Sequence, residues 1–177
     1  MSALFTRNRV IGLIVAAIIC AADQLVKYWV AGPLGLKNIG EKIDLLPFFD
    51  LTRVHNQGVS LGMFQATSPE MRYGLIAVTA AIACVVLVWL MRERKMGDIL
   101  GLSLILGGAI GNIYDRWSLG YVLDYADFHI GDFRPFLVFN IADAAITIGV
   151  VIILARSLFV RDTDEDKADG PAETKHA

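Results

Sequence analysis

The chain is poor in the residues that announce the commoner kinds of small protein. It has two cysteines, Cys20 and Cys84, and both fall in apolar stretches, where they read as small buried hydrophobes rather than as a disulfide framework or a metal site. Histidine is nearly as scarce. His55, His129 and His176 share no ligand-like spacing and there is no H-E-x-x-H, so nothing points to zinc or another metal. A basic excess is also missing: 16 Lys and Arg stand against 18 Asp and Glu. Between Arg161 and Ala177 there are six acids and three bases, and without that tail the charges nearly balance, so no nucleic-acid partner is expected. No segment repeats and no linker divides the chain. The expectation is one bundle over residues 1–160, followed by a disordered, solvated acidic tail over 161–177.

What the chain has in abundance is apolar surface. Hydrophobic residues make up 55% of its 177 positions and the mean hydropathy is +0.55, too apolar for a typical soluble domain. A bilayer core of about 30 Å takes about 20 apolar residues per helix. Four runs qualify, at about 10–31, 73–91, 99–114 and 137–160. The first, with Arg7 and Arg9 ahead of it and Ala21 and Ala22 within it, imitates a secretory signal. It continues through Leu25, Val26, Tyr28, Trp29 and Val30, long enough to span and remain. About 40 residues separate the first two runs, too many for a plain connection. Within them, Ile43 to Val54 reads as turn-punctuated strand. The expected fold is therefore an all-α membrane protein, with four transmembrane helices and a small extracytoplasmic β cradle and loop.

Orientation follows from the basic residues in short loops. Arg7 and Arg9 precede the first run, Arg92, Arg94 and Lys95 crowd the second connection, and Arg156 and Arg161 close the fourth run. An even number of spans puts them on one side, the cytoplasm, with both termini. The other side carries Lys37, Lys42, Arg53, Arg72, Arg116 and Arg134, diluted over longer segments and mixed with acids.

In that orientation the polar residues of the spans gather in their outer third. The first run ends with Asp23, Gln24 and Lys27, the third with Asn112, Asp115 and Arg116, and the fourth opens with Asn140 and Asp143. Asp143 falls inside that fourth run, about 10 Å below its start at 1.5 Å per residue, and Asp124 falls in the loop before it. Ionisable groups within a membrane are costly and mark function by default. Two carboxylates meeting in a water-poor site share a proton, leaving one as base and its neighbour as acid, which is the chemistry of peptide hydrolysis by activated water.

Each of these residues also has a structural reading. Asp23 and Lys27 stand at the favourable i,i+4 ion-pair spacing and support the site. Arg116 is either a snorkelling cation at a helix end or a fixed charge near a carboxylate or a substrate carbonyl. Asn140 suits an N-cap and Asn56 a turn with Gly58. Gly107, Gly108 and Gly111 allow close helix packing. Gly58-Val59-Ser60-Leu61-Gly62 fits G-x-S-x-G, with Asp124 and His129 following in triad order. A nucleophile elbow needs alternating strands and helices, which this chain lacks, so the serine reading is set aside.

Five motifs in register resemble the lipoprotein signal peptidase family, the signal peptidase II enzymes of the bacterial inner membrane. They are Asp23-Gln24-Leu25-Val26-Lys27, Asn56-Gln57-Gly58-Val59-Ser60, Gly111-Asn112-Ile113-Tyr114-Asp115-Arg116, Val122-Leu123-Asp124-Tyr125 and Phe139-Asn140-Ile141-Ala142-Asp143. The departure is at Val59 and Ser60, where the family often has two alanines. The resemblance implies an aspartyl endopeptidase with Asp124 and Asp143 as catalytic pair. It places Asn56, Gly58, Asn112, Arg116 and Asn140 around the substrate, and requires no cofactor or metal. It implies the partners too: membrane lipids, and lipidated prolipoproteins cut just before the diacylglyceryl-cysteine. The rival classes are a small proton- or ion-coupled membrane transporter, which would need polar groups across the full depth, and a non-catalytic scaffold.

Overall fold

In a computed structural model, which describes residues 6–58 and 68–159, the chain forms four long helices and one small sheet. The helices are α1 (Arg7–Ala31), α2 (Pro69–Arg92), α3 (Met96–Ser118) and α4 (Ile141–Phe159); the strands are β1 (Lys42–Leu46), β2 (Phe49–Asn56) and β3 (Val122–Phe128). Each helix is long and apolar enough to cross a bilayer. Even α4, the shortest at 19 residues, measures about 28 Å. Local signals set their starts. α2 begins where Ser68 Oγ accepts a hydrogen bond from Met71 N at 3.3 Å, with Pro69 in the first turn, where its missing N–H costs nothing.

α3 is the centre of the bundle and packs against the other three helices. Its glycines make that possible. A Cβ at Gly107 would come within 2.5 Å of Ala16 O on α1, and on the other flank a Cβ at Gly149 of α4 would come within 2.5 Å of Gly101 O, so both backbones approach closely. Leu90, Leu102 and Leu106 fill the core between them. The outward faces are apolar: Ile14, Ile18, Val78, Ile82, Val85, Val151 and Leu154 are all exposed, as a lipid-facing shell requires. Cys84 lies exposed on this shell and Cys20 is half-buried, so Cys84 departs from the buried position its apolar context suggested; both are free thiols.

At the basic end of the bundle, Arg9 donates to Glu93 O at 3.1 Å and Arg92 O at 3.3 Å, satisfying carbonyls where α2 ends. Arg156 grips Asp98 through two nitrogens at 2.8 and 3.2 Å. The sheet covers the opposite end, in the order β1-β2-β3 with all pairs antiparallel.

Two details depart from the pattern of the sequence. The segment carrying Asp124 is a strand, not a loop: Gly120, at φ 89°, turns the chain out of α3 and into β3, which pairs along β2. The fourth helix opens at Ile141 rather than near Leu137, because Phe139 bridges back to Ala126 with N···O distances of 2.7 and 3.1 Å. Asp143 therefore stands in the first turn of α4, not about 10 Å along it. The stretch holding Val59 and Ser60 and the acidic tail 161–177 lie outside the described residues.

Candidate active site

The site is built on a buried ion cluster at the sheet end. Asp23 and Lys27 meet at 2.7 Å, one helical turn apart on α1. Lys27 also meets Asp115 of α3 at 2.8 Å and Asn112 Oδ1 at 3.4 Å. Two carboxylates thus share one ammonium, and Gln24 bridges them, donating to Asp115 Oδ1 at 2.8 Å and Asp23 Oδ2 at 3.2 Å. Each carboxylate also accepts a backbone amide from a different element. Asp23 takes Ala142 N at 3.0 Å and Asp115 takes Leu123 N at 3.1 Å. These two amides belong to the residues immediately before Asp143 and Asp124. The cluster therefore ties down the two backbone positions that matter most.

Asp124 and Asp143 are brought together through two asparagines. Asn140 Nδ2 donates to Asp124 Oδ1 at 2.6 Å and contacts Asn112 Oδ1 at 3.3 Å, while Asn112 Nδ2 donates to Asp143 Oδ1 at 2.8 Å. Asn140 is the N-cap of α4: its Oδ1 accepts from Asp143 N at 2.8 Å, and Asp143 Oδ2 accepts from Asn140 N at 3.3 Å. This is a reciprocal capping box with Asp at its third helical position. From the sheet side, Asn56 Nδ2 donates to Asp124 Oδ2 at 3.0 Å, across a diagonal of the β2–β3 pair. Asp124 is 2% exposed. Burial, and next the neighbouring charge of Asp143, push its pKa up to about 7; hydrogen bonds from Asn56 and Asn140 pull the other way. Asp143 stands at a helix N-terminus, where the macrodipole favours negative charge.

Arg116 is buried and does not snorkel. Its Nη2 donates to Gly58 O at 3.0 Å and its Nη1 to Asn112 O at 3.4 Å, while Nε is a buried donor without a hydrogen-bond partner among the described residues. Gly58 N in turn donates to Asn56 Oδ1 at 3.1 Å, the expected turn. All nine singled-out residues, Asp23, Lys27, Asn56, Gly58, Asn112, Arg116, Asp124, Asn140 and Asp143, thus belong to one hydrogen-bonded assembly. Gln24 and Asp115, noted in the outer-third cluster but given no role, turn out to be part of it. The signal was present: two acids flank the one lysine in the outer third, more than an i,i+4 pair needs.

The serine arrangement does not form. His129 Nε2 lies 3.2 Å from Asp50 Oδ2 on β2 rather than at Asp124, and Ser60 is outside the described residues. Among the described residues no three His, Cys, Asp or Glu side chains are grouped as metal ligands would be.

A four-helix membrane bundle with a surface sheet and a carboxylate pair held at their junction defines the class, and the comparisons give the family. Residues 15–159 match the family model of signal peptidase (SPase) II. The chain is 51% identical over 149 residues to a lipoprotein signal peptidase of Sphingopyxis alaskensis, covering 84% of this chain and 86% of that one. It is 52% identical over 155 residues to one of Rhizorhabdus wittichii, covering 88% and 90%. A solved bacterial membrane enzyme superposes with a TM-score of 0.74 at 26% identity over 93% of this chain and 94% of that one. The chain belongs to the signal peptidase II family. It is a protease and a bacterial multi-pass membrane protein.

Proposed function

We propose that the chain is an aspartyl endopeptidase that removes signal peptides from prolipoproteins, cutting just before a diacylglyceryl-modified cysteine, with Asp124 and Asp143 as its catalytic pair. The observation that carries this reading is the pair itself: two carboxylates joined through Asn112 and Asn140, one of them with its pKa raised to about 7. At neutral pH such a pair keeps one proton between its members, and its titration belongs to both. One aspartate then removes a proton from water, while the other, protonated, polarises the scissile carbonyl and later protonates the leaving nitrogen. The Nε of Arg116, without a partner among the described residues, is a donor for a substrate carbonyl.

Access from the bilayer is supported by an apolar cavity of about 460 Å³ that reaches Asp143 between Phe128, Phe136 and Leu137 on one side and Ala144, Thr147 and Ile148 on the other. It suits an acyl chain or the apolar helix of a signal peptide. A cytoplasmic location of the basic end, and an extracytoplasmic sheet, follow from Arg9, Arg92, Arg94 and Arg156. The transporter reading finds no continuous path. Among the described residues, the buried polar side chain lying between Asp143 and the basic-end ion pair is Ser103, and its hydroxyl is spent on Ile99 O at 2.6 Å.

The test is cleavage of a lipidated precursor by purified protein. Asp124→Asn and Asp143→Asn should each lower the rate by about 100- to 10,000-fold while the protein stays folded. An unlipidated precursor should be nearly inert, because a displacement of about 1 Å costs on the order of 100-fold. Near-normal turnover in either variant sinks the aspartyl assignment.

A further inference from the structure

A second cavity, of about 640 Å³, lies between α1 and α3, away from Asp143. Its mouth is framed by Tyr28, Ile110, Tyr114 and Leu119, all exposed on the lipid-facing surface; Lys27, Asp115 and Arg53 line its interior. Arg53 is 9% exposed, and its three hydrogen bonds all go to neutral groups: Nη1 to Leu36 O at 2.6 Å, Nη2 to Tyr121 Oη at 3.0 Å and Nε to His55 Nε2 at 3.0 Å. His55 accepts at Nε2 and is therefore neutral. The nearby acids make their hydrogen bonds elsewhere, Glu41 acting on Arg53 only through its charge. Glu41 binds the amides of Lys37 and Asn38, and Asp115 binds Lys27, Gln24 and Leu123 N.

A guanidinium has five N–H donors, so one hydrogen on each terminal nitrogen of Arg53 is left over for an anionic oxygen. A buried cation whose side-chain hydrogen bonds all go to neutral groups is costly, and here it lines a cavity that opens to lipid. We infer that this cavity is a binding site for an anionic phospholipid, its phosphodiester on Arg53 and an acyl chain leaving past Ile110 and Tyr114. The headgroup alcohol is uncharged, as in phosphatidylglycerol. Among the described residues the only carboxylate lining the cavity is Asp115, and it is already paired with Lys27, Gln24 and Leu123 N rather than open to a choline or ethanolamine ammonium. This site is separate from the carboxylate pair and stands or falls independently of the peptidase assignment.

The experiment uses the purified full-length chain, stripped of lipid in detergent, with binding read by native mass spectrometry and by the rise in unfolding temperature. The probes are phosphatidylglycerol, phosphatidylcholine with the same chains, and inorganic phosphate. Phosphatidylglycerol should bind at least about 10-fold more tightly than phosphatidylcholine, whose choline cation offsets the phosphodiester charge and is repelled by Arg53 and Lys27. Arg53→Gln should abolish the difference, and Lys37→Gln, at an exposed position outside the cavity, should leave it intact. Ile110→Trp, which obstructs the mouth and leaves Arg53 in place, should weaken phosphatidylglycerol binding too, and it decides the matter if Arg53→Gln does not fold. Equal binding of the two lipids by the unaltered chain overturns the inference, as does unchanged phosphatidylglycerol affinity in Ile110→Trp. Inorganic phosphate stabilising the protein as much as the lipid does overturns it equally.

Discussion

Asp124→Asn should silence the enzyme and yet, above neutral pH, make it harder to unfold. Burial and Asp143 hold the Asp124 pKa at about 7, against the usual carboxylate value of 3.8 that an unfolded chain would show. Between about pH 4 and 7 the folded protein keeps a proton that the unfolded chain releases, so stability falls as pH rises through that window. The full loss is about 4 kcal/mol, at 1.36 kcal/mol per pKa unit. Asparagine cannot ionise and escapes it. It incurs another cost, because Asn56 Nδ2 and Asn140 Nδ2 both donate to Asp124. Neither amide is free to turn: Asn56 Oδ1 is held by Gly58 N and Asn140 Oδ1 by Asp143 N. One NH2 at position 124 must therefore face a donor, at about 1–3 kcal/mol. The expected result is a variant about 1–3 kcal/mol more stable than the parent at pH 8 and less stable by a similar amount at pH 4, with crossing curves. Unfolding temperatures of both proteins in detergent from pH 4 to 8 measure this. Parallel curves would refute the raised Asp124 pKa and, with it, the shared proton.

Lys27→Met leaves Asp23 and Asp115 buried without their cation and should cost about 3–5 kcal/mol; adding Asp115→Asn should recover part of the lost unfolding temperature, and no recovery would mean the lysine acts elsewhere. Asn140→Ser keeps a hydroxyl to cap Asp143 N but removes the amide that reaches Asp124. Its stability should stay within about 1 kcal/mol of the parent while cleavage falls far more, and a loss of both in proportion would reduce Asn140 to a cap. For topology, with Cys20 and Cys84 removed, a cysteine near Gly40 should react with a membrane-impermeant thiol reagent outside spheroplasts and one near Gly97 should not; the reverse labelling would put the site on the cytoplasmic face.

The helices were legible because a bilayer imposes a length and a composition that few other structures imitate. The sheet was half legible. β1 and β2 sit between turn signals in one long connection, but β3 carries Asp124 and Asp127 among its apolar residues, which hides the two-residue period. Its partner lies some 70 positions away in the chain, and pairing at that range leaves no local trace. The start of α4 was misread for a related reason. Leu137, Val138 and Phe139 continue the apolar run of the helix, and only the bridge of Phe139 to Ala126 shows that they are extended. The asparagine that follows was the local signal for the boundary.

The site was legible as a set of residues but not as a division of labour. Asp23 and Lys27 read as a pair by spacing, and the pair forms, yet the position of Asp23 matters for what its second oxygen does, which is to hold the amide before Asp143. Asp115 does the same for the amide before Asp124. Gly111 fits the same logic, since a Cβ there would fall 2.8 Å from Asp23 Oδ2, so the small residue leaves room for a carboxylate as well as for a helix. Each such acid is expensive in a membrane, and the proposed catalytic pair adds two more. Sharing one ammonium between Asp23 and Asp115, and, in the proposed mechanism, one proton between Asp124 and Asp143, would hold the uncompensated charge of these five groups to two. A cation that faces this excess is Arg116, buried beside Asn112, its Nε without a hydrogen-bond partner among the described residues. A peptide whose carbonyl reached that Nε would lie between the guanidinium and the carboxylate pair, where charge develops as water adds to the carbonyl.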